Sequence, residues 1–487
     1  MEKLKREIQL YLASLMIKKI LTIILGCVFI TAAYTIPPPS GIPIITQRQN
    51  AILGKKLMQE IRNQGGMVTD PIINDYIQNL GQKLLSHTAS NIKKFHFFII
   101  QDSSINAFAM PGGYIGINSG LIFATRTESE LAAVLAHEIS HITQHHLERL
   151  LEQVDSINMP ATVALMTAIA LGAGSGSASG ANAATGAAMA VMAGSTQHLL
   201  NFTRSNEAEA DRIGMKVLYA SGFDPEAMPN FFAQMEHENL EYSNRVPPFL
   251  LTHPVTNLRI AESRNTADAY PKRVIPPSLT YALVKARLVV ISSREKFRAV
   301  NYFKSLLNTN QEAVHYGYAT ALYEDRKFAL AQTNIDLLLQ KNAIIIYQLL
   351  KAQILAEHNA PLALNLLQKE LQTNAQYYPL IILYAQTLID NQRAATAKNL
   401  LEKYASNYSD DLLFLNLLAQ AEAKAHDLGN AYFTKATIYE IEDNKPAALT
   451  LLQQALRLPN LSNNLRIKIN AKINKLKTAI AERDTFE

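Results

Sequence analysis

Along most of this chain, apolar residues recur every three or four positions, the spacing that lays a stripe down one face of a helix. Residues 46–64 (TQRQNAILGKKLMQEIRNQ) carry such a stripe. Residues 70–87 (DPIINDYIQNLGQKLLSH) carry a second, with Asp70 placed as N-cap and Pro71 at the first helical position. The period then shortens. FHFFII (95–100) predicts a strand, and NAFAMPGGYIGI (106–117) predicts an extended segment, a turn at Pro111-Gly112-Gly113 and a returning strand. Helical spacing resumes at Thr127, where TESE (127–130) is a Thr-x-x-Glu capping box. A further helix is expected from about Ser205 to Ser221, stopped by Gly222 and Pro225.

Residues 159–196 hold two apolar, small-residue arms around a Gly/Ser/Ala-rich middle. This predicts a helical hairpin with a loose tip, its arms too short for two membrane spans. Such a hairpin either packs closely or serves as a flap that shields a site or makes peripheral contact with a membrane.

Beyond the Pro-rich stretch YPKRVIPPS (270–278) the pattern is helical almost to the end, and it repeats. The segments 318–339, 350–371 and 384–405 resemble one another, and Ala363, Ala397 and Ala431 stand at 34-residue intervals. That period suits helix-turn-helix repeats of the tetratricopeptide kind, in which each pair buries its apolar face against the next. The usual Trp and Gly marks are missing. The expected organisation is an export signal over 1–35, a first domain over 36–269 and an all-α solenoid over 278–487, with an α+β, mainly α, fold class overall.

Composition narrows the field. A net charge of +5 over 487 residues, without a basic stripe interleaved with aromatics, gives no reason to expect nucleic acid. The single cysteine, Cys27, excludes a disulfide framework and a thiolate zinc site. From Met16 onward, Lys18 and Lys19, an apolar run over 20–30 and the small residues Thr31, Ala32 and Ala33 make the three-part pattern of a secretory signal. Translation is expected to start at Met16. A lipobox at Cys27 and an uncleaved membrane anchor are the alternatives.

The candidate chemistry lies in AHEISHITQHH (136–146). His137 and His141 are four apart, so on a helix they share a face and can share a metal ion. Glu138 projects beside them, where a carboxylate can take a proton from water at the metal and pass it to a leaving amine. His145 and His146 follow on the same helix, and His145, two turns past His137, would overshoot a single ion. A metzincin extension fails because Gln144 stands where a glycine is needed. NEAEADRIG (206–214) supplies Glu207 as a third ligand, with Asp211 four residues on and able to fix a histidine ligand from behind. Two His and one Glu leave a position open, the catalytic arrangement. His253, held extended by Pro254 in FLLTHPVTNLRIAE (249–262), could bind that position or stabilise an oxyanion.

HEISH (137–141), EAEAD (207–211), NAFAMPGGYIGINSGLI (106–122) and THPVTNLRI (252–260) resemble the M48 metallopeptidases, and the appended repeats and export signal are similar to the periplasmic branch of that family. The resemblance implies a gluzincin fold with a small sheet and one Zn2+ per chain, bound by His137, His141 and Glu207. It implies Glu138 as general base, Asp211 as the Asp of the ExxxD motif, and His253 as a fourth ligand that closes the resting site. Asn106, Ala107 and Phe108 match an edge strand along which a substrate backbone would pair. In function it implies a zinc endopeptidase of the Gram-negative periplasm, acting in outer-membrane quality control on unfolded or misassembled barrel proteins. The repeats would dock on the barrel assembly machinery. The competing reading is a chaperone-like adaptor with a largely latent metal site.

Overall fold

The computed structural model describes residues 47–88, 94–152, 196–241 and 247–484. The export segment and all but the last residue of the small-residue arms at 159–196 lie outside the described residues.

Helix α1 (Gln47–Gln64) and helix α2 (Pro71–Leu85) form where the periodicity places them. Asp70 caps α2, its Oδ1 accepting from the N–H groups of Ile72 and Ile73 at 3.1 Å. Strands β1 (His96–Ile100), β2 (Ala107–Met110) and β3 (Tyr114–Asn118) make one sheet in the order β1-β3-β2. The hairpin pairs antiparallel as expected, Ala107 opposite Ile117 and Met110 opposite Tyr114, with Gly112 of the turn at φ 78°. Pairing of β1 alongside β3, parallel, is a tertiary outcome that local pattern does not encode. It leaves β2 at an edge of the sheet.

Short helix α3 (Ser119–Ala124) leads to α4 (Glu128–Thr143), the histidine helix. Thr127 accepts from the Glu130 N–H at 3.2 Å. Glu130 reaches back to the N–H of Arg126 instead of Thr127, so the capping box closes one residue further out. Helix α4 stops at Thr143. His145 adopts a left-handed conformation at φ 55°, and a separate helix, α5 (His146–Glu152), follows. His145 and His146 therefore do not continue the His137–His141 helix, contrary to the expectation from sequence.

Helix α6 (Thr196–Ala220) begins nine residues before the predicted start at Ser205, and Gly222 of the turn that follows it has φ 84°. Helices α7 (Ala227–Glu241), α8 (Pro248–Thr252) and α9 (Asn257–Asp268) complete this half, and α4 packs against both α6 and β2.

From Leu279 the chain is helical: α10 (Leu279–Ser292), α11 (Lys296–Leu306), α12 (Glu312–Glu324), α13 (Phe328–Lys341), α14 (Ile345–Ala356), α15 (Ala360–Thr373), α16 (Tyr378–Asp390), α17 (Ala394–Tyr404), α18 (Leu412–Lys424), α19 (Leu428–Ile441), α20 (Lys445–Leu456) and α21 (Asn463–Asp484). Each packs against its neighbours along the chain, α10 chiefly against α12. The repeating alanines 363, 397 and 431 are buried in the second helix of their pairs. Turns inside three pairs place Arg326, Gln392 and His426 at φ 58°, 59° and 62°, so ordinary residues occupy the left-handed position that glycine usually fills.

The described residues all fall within one compact unit. A continuous hydrophobic core runs from Val68 through the histidine helix into the repeats as far as Ala421. Polar ties cross the same surface. Arg287 of α10 pairs with Asp70 at 2.7 Å, and the Tyr281 hydroxyl lies 2.7 Å from that of Thr125. Among the described residues, no helix is long and apolar enough to cross a membrane.

Candidate metal centre

The helical period stacks His137 and His141 on one face of α4, their Nε2 atoms 3.0 Å apart. Helix α6 crosses α4 closely because Gly214 has no side chain. A Cβ there would stand 3.1 Å from the His137 nitrogen and 3.2 Å from the Ala136 carbonyl. The crossing brings Glu207 to the histidine pair, Oε2 at 3.3 Å from His137 Nε2 and Oε1 at 3.4 Å from His141 Nε2. His253 closes the group from the end of α8, Nδ1 at 3.3 Å from His137 Nε2 and 3.1 Å from Glu207 Oε1. Its loop is positioned by the Phe249 N–H, which donates to the Ile105 carbonyl at 3.2 Å, just ahead of β2. One donor atom from each of His137, His141, Glu207 and His253 lies within 4.8 Å of all the others.

The donor set fits a metal ion. Four ligands in a tetrahedron about 2.0–2.1 Å from a zinc ion stand roughly 3.3 Å from one another, and the contacts given above run from 3.0 to 3.4 Å. Electrostatics agree. Burial disfavours charge on His137, yet Asp211 and Glu207 outweigh it and push its pKa up to about 10. Glu207 pays the same desolvation, and His253, His137 and His141 hold its carboxyl well below the usual range. Burial drives His141 well below its ordinary value. The ionised carboxylates of Glu207 and Asp211 give this buried cluster the negative charge that a bound cation would offset.

Glu138 is fully buried beside the cluster, and neither carboxylate oxygen has a hydrogen-bond partner. Its Oε1 lies 3.5 Å from His253 Nε2. Asp211 makes ion-pair contact with the rear nitrogen of His137 at 3.0 Å. Asn106, Ala107 and Phe108 are all buried, and neither polar atom of the Asn106 side chain has a hydrogen-bond partner.

Two features escaped the sequence reading. Arg259 of α9 grips Asp211 through Nε and Nη2, both at 2.8 Å, and reaches Glu207 at 3.0 Å. It thereby holds Asp211 ionised against burial, together with His137. Its place six residues after His253 was visible, but only the turn between them shows why. The second feature is His146, whose Nδ1 lies 2.8 Å from Nδ1 of His141. The unforeseen break after α4 puts it there.

A His-x-x-x-His pair on one helix, a glutamate from a second and a buried, unpartnered carboxylate alongside define a metallopeptidase of the gluzincin type. The chain belongs to peptidase family M48, whose model matches residues 71–267. It is 33% identical over 438 residues to a beta-barrel assembly-enhancing protease of Escherichia coli, covering 88% of each chain. The protein of the same name from Yersinia pestis is 30% identical over 435 residues, again 88% of each. The mitochondrial metalloendopeptidase OMA1 of Schizosaccharomyces pombe is 27% identical over 213 residues, 40% of this chain and 56% of that protein.

Proposed function

We propose that this protein is a zinc-dependent endopeptidase of the Gram-negative periplasm that acts on misassembled outer-membrane barrel proteins. The observation that carries the chemistry is the convergence of His137, His141, Glu207 and His253 beside an unpartnered Glu138. Three imidazoles and one carboxylate suit zinc. When bound, zinc would polarise the scissile carbonyl and acidify water. Glu138 then takes a proton from water and returns it to the leaving amine, the work of a carboxylate whose two oxygens accept no hydrogen bond. Asp211 fixes the orientation of His137. The backbone over Asn106, Ala107 and Phe108 pairs with an extended substrate. His253, its ring 5.1 Å from Phe249, fills the fourth position and closes the resting site.

The names of the bacterial relatives support a role in barrel assembly. The signal pattern supports export, with the mature chain membrane-anchored if the signal is retained. We assign catalysis to residues 36–269 and docking on the assembly machinery to the helical pairs of 278–487. Residues 159–196 are proposed to touch the membrane surface. Closure of the site by His253 also favours a second reading, a chaperone-like adaptor whose metal site is largely latent.

Zinc content and peptide cleavage test these readings together. Glu138→Gln should keep one zinc and lose cleavage by about 10²–10⁴-fold. His253→Ala should keep zinc and cleave faster than wild type. Cleavage by Glu138→Gln at the wild-type rate would overturn the mechanism. Full support of outer-membrane assembly in cells by Glu138→Gln would instead favour the adaptor.

A further inference from the structure

We infer that His146 is a positioning residue for the metal ligand His141, the first link of a relay that runs through Glu209 to Arg149. The inference rests on the reading of His141 as a ligand. With Nε2 of His141 facing the other donors, its ring proton must sit on Nδ1. The Nδ1 atom of His146, 2.8 Å away, is therefore the acceptor. His146 then carries its own proton on Nε2, where Glu209 Oε2 accepts it at 3.2 Å. The same Glu209 oxygen accepts from Arg149 Nη2 at 2.7 Å, and Arg149 Nη2 also donates to Asn206 at 2.9 Å. Each atom has one consistent role, so the relay fixes the tautomer and ring plane of His141.

The backbone is arranged for this contact. On an unbroken helix, residue 146 would be turned about 140° away from residue 141. The left-handed His145 interrupts the helix and starts α5 on a new axis, which swings His146, 4% exposed, back against His141. The Asn50 side chain holds α5 from the other side by donating to Glu148 at 2.6 Å. Helix α6 thus carries three carboxylates with three tasks. Glu207 joins the ligands, Asp211 stands behind His137, and Glu209 stands behind His146 and so behind His141.

The test is zinc affinity of the full chain, measured by chelator competition, with the ligand-field spectrum of the cobalt-substituted protein as a second readout. His146→Leu removes the acceptor. His146→Asn places an amide oxygen where Nδ1 stands and should rescue. Leucine should weaken zinc binding by about 10–100-fold and alter the cobalt bands, and asparagine should bring affinity back to within about threefold of wild type. Wild-type affinity in the leucine variant would overturn the relay alone. Equal weakening in both variants would assign the loss to packing and also overturn it. Absence of zinc binding by the wild type would remove the metal-site reading itself, and the relay with it.

Discussion

Arg287 and Asp70 offer a direct measure of how firmly the two halves of this chain are joined. Oδ1 of Asp70 caps α2, while Oδ2 accepts from Arg287 Nε at 2.9 Å and pairs with Nη2 at 2.7 Å. Arg287 is 4% exposed and has one further contact, the Tyr316 hydroxyl at 3.3 Å. Asp70→Ala loses a cap, about 1 kcal/mol, and strands a buried guanidinium, about 3–5 kcal/mol. The expected total is about 4–6 kcal/mol. In the double variant Asp70→Ala/Arg287→Met, an apolar side chain of similar length replaces the stranded charge. Most of the second cost then disappears, leaving a loss nearer 1–2 kcal/mol. The double variant should thus unfold at higher urea than Asp70→Ala alone, with a coupling energy of at least about 3 kcal/mol, plus whatever Arg287→Met costs by itself, in a double-mutant cycle followed by circular dichroism. Single effects that add to within about 0.5 kcal/mol would refute the reasoning, because the pair would then be energetically independent.

Glu422 is buried, one of its oxygens lacks a partner, and burial pushes its pKa up to about 7 against the hydroxyl of Thr434. The folded chain then binds this proton more tightly than the unfolded chain, so stability should fall as pH rises from about 4.5 to 7. Glu422→Gln should flatten that slope and raise the melting temperature at pH 8 more than at pH 5; an equal change at both would refute it. Gln392, left-handed at φ 59°, should gain about 0.5–1 kcal/mol on replacement by glycine, read from the urea midpoint. Gly214→Val would press against the backbone of Ala136 and His137, so zinc content should drop even in chain that remains helical by circular dichroism.

The parts of the fold set by local pattern were legible. Asp70 and Pro71 announced the start of α2, and the Pro111-Gly112-Gly113 turn announced the hairpin. Histidines four apart and the carboxylates of 206–214 pointed to one cluster, and the structure brings His137, His141, Glu207 and His253 together. What stayed hidden depends on chain direction between elements. Nothing in TQHH marks a left-handed His145, a conformation that side chains disfavour, so the break before α5 and the return of His146 could not be read. Arg259 lay in plain view as a charge, yet its hold on Asp211 and Glu207 exists only once α9 has folded back on α6. Parallel pairing of β1 with β3 is likewise a product of packing.

The uninterrupted core has a consequence for how this molecule can be taken apart. Leu283, Val284 and Leu288 of α10 belong to the same buried cluster as Ile73 and Ile77 of α2. A peptidase half cut free near residue 278 would carry a bare greasy face, and with Arg287 gone, Asp70 would lose its counter-ion. Such a fragment should clump where the whole chain stays dispersed. Heritable change in the repeats is constrained in the same way. The helices that pack on the peptidase half, α10 and α16 against α2, are tied to it as parts of one interior.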